Sequence, residues 1–313
     1  MRGGYGGIGL VFALLSAATF AMSGPLASAL IEAGWSPAAA VTARIGTAAL
    51  VLTIPAVLVL RHARGALRHA AGPVLLYGTV AVAGCQLAFF NAVAHLSVGV
   101  ALLLEYLGSV LVVGWLWLRH GQRPRRLTVA GAGAAVLGLL LVLDVTGSGD
   151  LDVVGVLWGL AAAVGLATFF IVSASTDNKL PAIPMAWASM LIGSGLLIVL
   201  GAAGLVPLQA NTSDVLLLDH ATSWLVALAG LAVISAVIAY VTGIGAARRL
   251  GAKVASFVGL TEVLFAVLFA WLMLGQLPRP IQLVGGVFIV AGVAMVRLDE
   301  LRTPQRPEPV LAA

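Results

Sequence analysis

Long apolar runs alternate with short polar segments along the chain. A helix needs about 20 apolar residues to cross a bilayer core of about 30 Å. Because nearly all the connections are short, consecutive helices are expected to pack antiparallel. The runs predict an all-α integral membrane protein with ten transmembrane helices, at residues 8–30, 37–60, 73–94, 97–118, 127–145, 153–174, 183–205, 223–246, 254–274 and 281–297.

The composition agrees with a membrane as the solvent. Of the 313 residues, 61% are hydrophobic and 9% are charged, whereas a soluble domain carries about 25% charged residues. The net charge of +5 comes from basic clusters between the apolar runs, so it indicates membrane topology and not nucleic-acid binding. The lone cysteine, Cys85, lies in an apolar run and is expected to be a small buried side chain.

Lysine and arginine fall almost entirely on one side of the predicted helices. With the N-terminus in the cytoplasm, 15 of the 17 lie in cytoplasmic segments, Arg279 lies outside, and Arg44 lies within the second span. The positive-inside rule therefore predicts that both termini are cytoplasmic. Residues 298–313, which are rich in proline and charge, are expected to form a disordered cytoplasmic tail.

The sequence contains an internal repeat. Shifted by 154 residues, Leu96–Leu139 aligns without a gap on Leu250–Val293, with 13 identities among 44 pairs, including a shared Gly-Gln-x-Pro-Arg motif. The repeat predicts two five-helix units, residues 8–145 and 153–297. Because each unit has an odd number of spans, the second is expected to be inverted relative to the first. Inverted repeats are a recurring design of secondary transporters.

Two passages of the repeat resemble a known family. TEVLFAVLFAWLMLGQ at 261–276, with Gly285 and Gly286, resembles the EamA-type transporters of the drug/metabolite transporter superfamily. LEYLG at 104–108, followed by RHGQRP at 119–124, resembles the branch that contains threonine/homoserine exporters. The resemblance implies a multi-pass exporter of amino acids or other small metabolites in the bacterial inner membrane.

Ionisable residues inside the predicted spans are candidates for function, because a charge at mid-bilayer is costly. Glu105 lies about 12 Å from the outer end of the fourth span, and Glu262 lies at a similar depth from the cytoplasmic end of the ninth. Such a carboxylate can bind a proton or a solute amino group; the alternative is a structural carboxyl group bonded to a neighbouring helix. Arg44 stays charged and needs a partner, which is Glu105 or a solute carboxylate. The alternative is that its side chain extends to the outer interface or holds two helices together.

Four uncharged polar residues in the spans are further candidates: Gln86, Asn91, Tyr106 and Tyr240. Gln86 and Asn91 are five positions apart on the third span, which separates them by about 140° around the helix. They need not face the same cavity. For all four residues the alternative is hydrogen bonding or packing between helices.

The sequence contains no metal-ligand spacing and no hydrolase or P-loop motif, so we expect no metal, no cofactor and no enzymatic activity. We expect a secondary transporter of amino acids or similar metabolites, working by alternating access as a monomer or homodimer. Protons are the candidate coupling ion, and no nucleic-acid partner is expected. The alternatives are an intramembrane enzyme and a channel or membrane scaffold.

Overall fold

The computed structural model describes residues 3–62, 65–96, 98–143, 152–175, 180–217, 220–274, 277 and 279–302, and these residues are almost entirely helical. The helices are α1 Gly3–Ala21, α2 Ser23–Glu32, α3 Pro37–His62, α4 Ala66–His69, α5 Ala71–Leu76, α6 Cys85–His95, α7 Val98–Tyr106, α8 Gly108–His120, α9 Arg126–Leu143, α10 Val153–Ala174, α11 Ala182–Ala202, α12 Trp224–Ala232, α13 Ala239–Gly259, α14 Thr261–Leu274 and α15 Pro280–Leu301.

Two π-helical segments and one hairpin complete the described secondary structure. Tyr77–Gly84 joins α5 to α6, and Val233–Ile238 joins α12 to α13, so that each connection runs on without leaving the helical path. The strands β1, Val215–Leu217, and β2, His220–Thr222, pair antiparallel in the connection between α11 and α12.

Eight helical stretches in the described residues are long and apolar enough to cross a membrane: Gly7–Glu32, Pro37–Arg61, Ala71–Ala92, Ala101–His120, Val153–Ala174, Ala182–Ala202, Trp224–Gly259 and Pro280–Leu301. The chain is therefore a multi-pass membrane protein by length and composition. The predicted number of ten is not confirmed by this criterion.

Two local features account for the difference between eight and ten. The apolar part of α9, Arg126–Val142, falls short of the required length. The stretch Trp224–Gly259 is not one regular helix, because Gly251 has φ +78° and ψ 161°, a conformation that is essentially restricted to glycine. The helix is broken there, and α14, with only 14 residues, is too short to meet the criterion alone.

The last helix extends beyond its predicted end. The hydrophobic run ends at residue 297, but α15 continues to Leu301, so the first residues assigned to the tail are helical. Residues 303–313 of the predicted tail lie outside the described part of the chain.

Reciprocal glycine contacts join the two halves where α9 packs against α15. A Cβ atom added to Gly131 would lie 2.8 Å from the Gly292 carbonyl oxygen, and one added to Gly138 would lie 2.7 Å from that of Gly285. In the repeat, Gly131 is equivalent to Gly285 and Gly138 to Gly292. Each contact therefore has its counterpart in the other half, as two-fold related surfaces require, and small residues allow the close approach.

The connection after α11 packs on the turn between α2 and α3. The Ser36 hydroxyl donates to the Pro207 carbonyl (2.6 Å) and accepts from the Gln209 amide (3.1 Å). The Trp35 indole N–H donates to the Asn211 carbonyl. These bonds tie the second half to the first at the end of the bundle where α2 ends and α3 begins.

Candidate functional site

A cavity of about 900 Å³ lies between the two halves and has walls from both. Asn91, one of the seven candidates, does not line it; its amide donates to the Leu87 carbonyl on its own helix at 2.7 Å. The structure thus separates Asn91 from Gln86, although both lie on α6. The other six candidates line the cavity: Arg44, Gln86, Glu105, Tyr106, Tyr240 and Glu262.

The cavity extends from the middle of the bundle to one end. Its lining includes Ile31 near the end of α2, Pro37 at the start of α3 and Gln282 at the start of α15. Towards the opposite end of the bundle, α1 packs against α13. There the Arg249 guanidinium lies 4.7 Å from the ring centre of Phe12, so α1 and α13 are in close contact.

Arg44 is held by uncharged acceptors. Its side chain is buried, with 7% exposure. Nη1 donates to Gln86 Oε1 at 3.2 Å, and Nη2 donates to the Ser235 carbonyl. Among the residues that the structure describes, Nε has no hydrogen-bond partner and no carboxylate forms an ion pair with the guanidinium. The Arg44–Glu105 pair considered from the sequence is therefore not formed here.

A π-helical segment supplies the carbonyl that Arg44 uses. Ser235 lies within Val233–Ile238, and π-helical turns disturb the regular hydrogen-bond ladder and are frequent at functional sites. The matching part of the first half, Tyr77–Gly84, is also π-helical and leads directly into Cys85 and Gln86. Both halves therefore have a π-helical segment at the equivalent position beside the cavity.

Gln86 and Tyr240 join the two halves inside the cavity. Gln86 Nε2 donates to the Tyr240 hydroxyl at 3.2 Å, and the two residues are 154 positions apart, the offset of the internal repeat. Two equivalent residues in related halves can touch only near the axis that relates the halves. The hydrogen bond therefore locates the polar part of the cavity close to that axis.

The two glutamates have uncharged hydrogen-bond partners. The Cys85 thiol lies 3.5 Å from Glu105 Oε1, and a thiol is only a weak donor. The Tyr106 hydroxyl hydrogen-bonds the Glu262 carboxyl group. Within the described ranges neither carboxyl group forms an ion pair with a basic side chain. Arg44 interacts with both only at longer range.

Both helices that carry the glutamates are interrupted beside them. A turn at Leu107 (φ −58°, ψ −16°) separates α7 from α8, two residues after Glu105. A turn at Leu260 (φ −58°, ψ −21°) separates α13 from α14, two residues before Glu262. Discontinuous helices near mid-membrane are a common way to build solute sites, because their ends leave backbone groups available.

Phenylalanine rings contribute to the apolar part of the lining, and the sequence did not single them out. Phe169 is the centre of the cluster, with ring centres 4.9 Å from Phe170 and 5.6 Å from Tyr240. Phe20 lies 5.1 Å from Tyr240 and beneath Arg44, whose Cζ is 5.9 Å from the ring centre. Burial of Cys85 is confirmed, but its contact with Glu105 was not expected.

One further acidic group is organised outside the membrane-spanning segments. Asp152 caps α10 by accepting from the Val154 amide at 2.8 Å, and its other oxygen contacts His95 Nδ1 at 2.8 Å. The hydrogen bond from Val154, followed by the contact with His95, lowers the pKa of Asp152. Because His95 ends α6 and Asp152 precedes α10, this contact also links the two halves.

A helical bundle built from two similar halves around a polar cavity defines a class of duplicated multi-pass membrane proteins. The chain belongs to the EamA-like transporter family, whose model matches residues 7–144 and again residues 153–298. Membership indicates a membrane transporter of small solutes and gives no support to an intramembrane enzyme.

Similarity to solved structures supports the same fold. A structure titled "Crystal structure of protein" matches with a TM-score of 0.75 and 21% identity over 97% of this chain and 100% of that chain. The search of curated proteins finds no match. Neither comparison points to the threonine/homoserine exporter branch.

Proposed function

We propose that the chain is a secondary transporter that moves amino acids or similar small metabolites out of a bacterial cell by alternating access. The observation that carries the proposal is the cavity whose polar groups come from both halves and whose equivalent residues Gln86 and Tyr240 are hydrogen-bonded. A site shared by two related halves can be exposed to either side of the membrane as the halves exchange conformations.

The proposed topology has ten crossings in two inverted units, with both termini in the cytoplasm. Counting α9 as a short span and dividing the chain at Gly251 raises the number of crossings from eight to ten. The excess of lysine and arginine on one side supports the orientation. In this orientation the cavity extends to the outer end of the bundle.

In the proposed mechanism the solute amino group binds at Glu105 and Glu262. A solute that also carries a carboxylate would place it near Arg44 Nε, which has no partner among the described residues, but beside the two acidic groups. Uptake of a proton by Glu105 would couple transport to the proton gradient. The apolar surroundings strengthen each of these electrostatic interactions relative to water. Tyr106, Tyr240 and Gln86 keep the charged groups oriented.

The test is efflux from proteoliposomes that contain the purified protein and a panel of labelled amino acids, with and without a pH gradient. We expect gradient-dependent efflux of at least one solute by the wild type. Glu105→Gln removes the charge with little change of shape and should lower the rate about tenfold, which corresponds to ~1.4 kcal/mol. Glu32→Gln, which changes an exposed carboxylate outside the cavity lining, is the matched control.

Two results would count against the proposal in different ways. Efflux by Glu105→Gln at the wild-type rate and with the wild-type pH dependence would exclude the coupling role of Glu105. An absence of efflux for every amino acid in the panel would exclude amino acids as the solute class.

A further inference from the structure

We propose that the cavity selects solutes that carry a net positive charge on an aromatic or apolar body, and that a free carboxylate on the solute weakens binding. This inference rests on the proposed function, because it refines the substrate class of the same cavity. Three observations support it: the charges of the side chains that line the cavity, the hydrogen bonds that Arg44 and Gln86 already make, and the aromatic rings of the lining.

The charge inventory favours a cation. Arginine stays protonated in proteins, so Arg44 supplies one positive charge to the cavity, while Glu105 and Glu262 supply two carboxyl groups. The remaining side chains that can titrate in the described lining are Cys85, Tyr106 and Tyr240, and none of these can be positive. A buried charge is costly unless an opposite charge compensates it. A cation that binds beside the two carboxyl groups favours their ionised form, and with both ionised one negative charge remains for the cation to match.

The donors that would bind an anion are partly in use. Both Nη atoms of Arg44 donate to protein acceptors, and the Gln86 amide donates to Tyr240. Strong carboxylate recognition by arginine uses two parallel N–H groups. Each Nη of Arg44 already gives one of its two N–H groups to the protein, and within the described residues Nε is the one guanidinium nitrogen without a partner. A solute carboxylate would therefore meet a guanidinium that is already partly bonded to the protein, and it would face two acidic groups.

The acceptors that would bind a cation are available. An ionised carboxyl group offers about four lone-pair sites. Among the described residues, Glu105 receives the weak contact from Cys85, and Glu262 accepts a hydrogen bond from the Tyr106 hydroxyl. A primary ammonium group has three N–H donors, which is enough to bind one or both carboxyl groups without displacing a protein hydrogen bond.

The aromatic rings extend this preference to the rest of the solute. The faces of aromatic rings attract cations, and their area binds apolar groups. Phe89 and Phe90 form a second ring pair in the lining, with centres 5.8 Å apart, in addition to the cluster around Phe169. An aromatic amine therefore fits both parts of the cavity.

The test compares three probes of nearly equal size that differ in charge: phenylalaninamide (cation), phenylalanine (zwitterion) and 3-phenylpropanamide (neutral). Binding to the purified protein in detergent is measured by isothermal titration calorimetry at pH 6.5. We expect phenylalaninamide to bind at least about tenfold more tightly than phenylalanine, and the neutral probe to bind more weakly than phenylalaninamide.

Variants link this preference to the two carboxyl groups. Glu105→Gln and Glu262→Gln should each reduce the ratio of the two affinities at least about threefold, whereas Glu32→Gln should leave it unchanged. The ratio is measured within one protein preparation, so a partial loss of folded protein does not change it. A wild-type ratio near one, tighter binding of phenylalanine, or no binding of any probe would overturn the proposal.

Counterflow of the same probes in proteoliposomes separates this inference from the proposed function. Phenylalanine counterflow together with equal affinities for phenylalanine and its amide would refute the charge preference and leave the transporter in place. Preferential binding of the amide without counterflow of any probe would support the charge preference and count against transport.

Discussion

Arg44 is buried at a cost that its neighbours must offset. A guanidinium in an apolar environment is stable only when hydrogen bonds satisfy it, and here the partners are Gln86 and the Ser235 carbonyl. Gln86 in turn donates to Tyr240. The chain of contacts from Arg44 to Tyr240 therefore depends on one amide side chain.

Gln86→Leu should destabilise the protein by about 1.5–3 kcal/mol, because hydrogen bonds to charged groups lie in that range and the substitution leaves Arg44 with the Ser235 carbonyl alone. Thermal unfolding in detergent measures the effect. Asn91→Leu, on the same helix but outside the cavity lining, should cost less. Equal stabilities of the two variants would contradict this role of Gln86.

Asp152 should make the stability of the fold depend on pH in a predictable direction. Its pKa is lower in the folded state, so its contribution to stability is complete above the unfolded-state value of about 3.9 and is lost as the pH falls through the lower folded value. Asp152→Ala should lower the melting temperature by about 1–2 °C at pH 7, with the difference from wild type shrinking below about pH 4.

Asp152→Asn is the matched variant, because asparagine also caps helices well but cannot be charged. It should retain more stability than Asp152→Ala at pH 7. A difference between wild type and Asp152→Ala that stays constant from pH 6 down to about pH 2, below both pKa values, would refute this contribution.

The charged residues of the cavity could be predicted from the sequence, because a charge within an apolar span is costly and is seldom present without a role. The sequence could not predict that Gln86 lines the cavity and Asn91 does not, because the direction in which each side chain points depends on how α6 packs. Nor could it pair Gln86 with Tyr240. Residues 77–86 and 231–240 share no identical position, so the repeat was visible only in the later helices of each half.

At the scale of elements, the crossing of α9 and α15 depends on glycine. An alanine at Gly138 would bring its Cβ within 2.7 Å of the Gly285 carbonyl oxygen and of the Ile289 amide nitrogen, and backbone atoms cannot move aside as a flexible side chain can. Such overpacking typically costs about 1–3 kcal/mol.

Gly138→Ala should therefore lower the unfolding temperature, whereas Gly133→Ala should not. Gly133 lies on the same helix, and a Cβ atom there would have no neighbour within 4 Å, so the higher helix propensity of alanine should leave that variant equal to or more stable than the wild type. Thermal unfolding of both variants in detergent gives the comparison. Equal destabilisation of the two would mean that the close crossing is not important.

Hydropathy predicted most of the helices, because membrane burial requires an uninterrupted apolar stretch. It did not predict the π-helical segments or the turns at Leu107 and Leu260. Proline is the residue that most often marks such a break, and neither turn contains one. Without such a marker residue, a single sequence carries no signal for these irregularities.

At the scale of the whole molecule, the repeat organises both the fold and the cavity. The glycine contacts of α9 with α15 and the Gln86–Tyr240 bond both relate equivalent positions of the two halves. The two glutamates do not follow this symmetry, because the equivalent of Glu105 is Gly259 and that of Glu262 is Gly108. The symmetric framework therefore carries an asymmetric set of charges.

The most direct test of alternating access uses the single cysteine of the chain, because Cys85 lines the cavity beside Glu105. Sealed membrane vesicles of both orientations are treated with a membrane-impermeant, positively charged methanethiosulfonate, and Cys85→Ser is the unlabelled control. The account predicts modification of Cys85 from both sides of the membrane, slowed in both cases by a transported solute. Modification from one side only, whether or not solute is present, would contradict it.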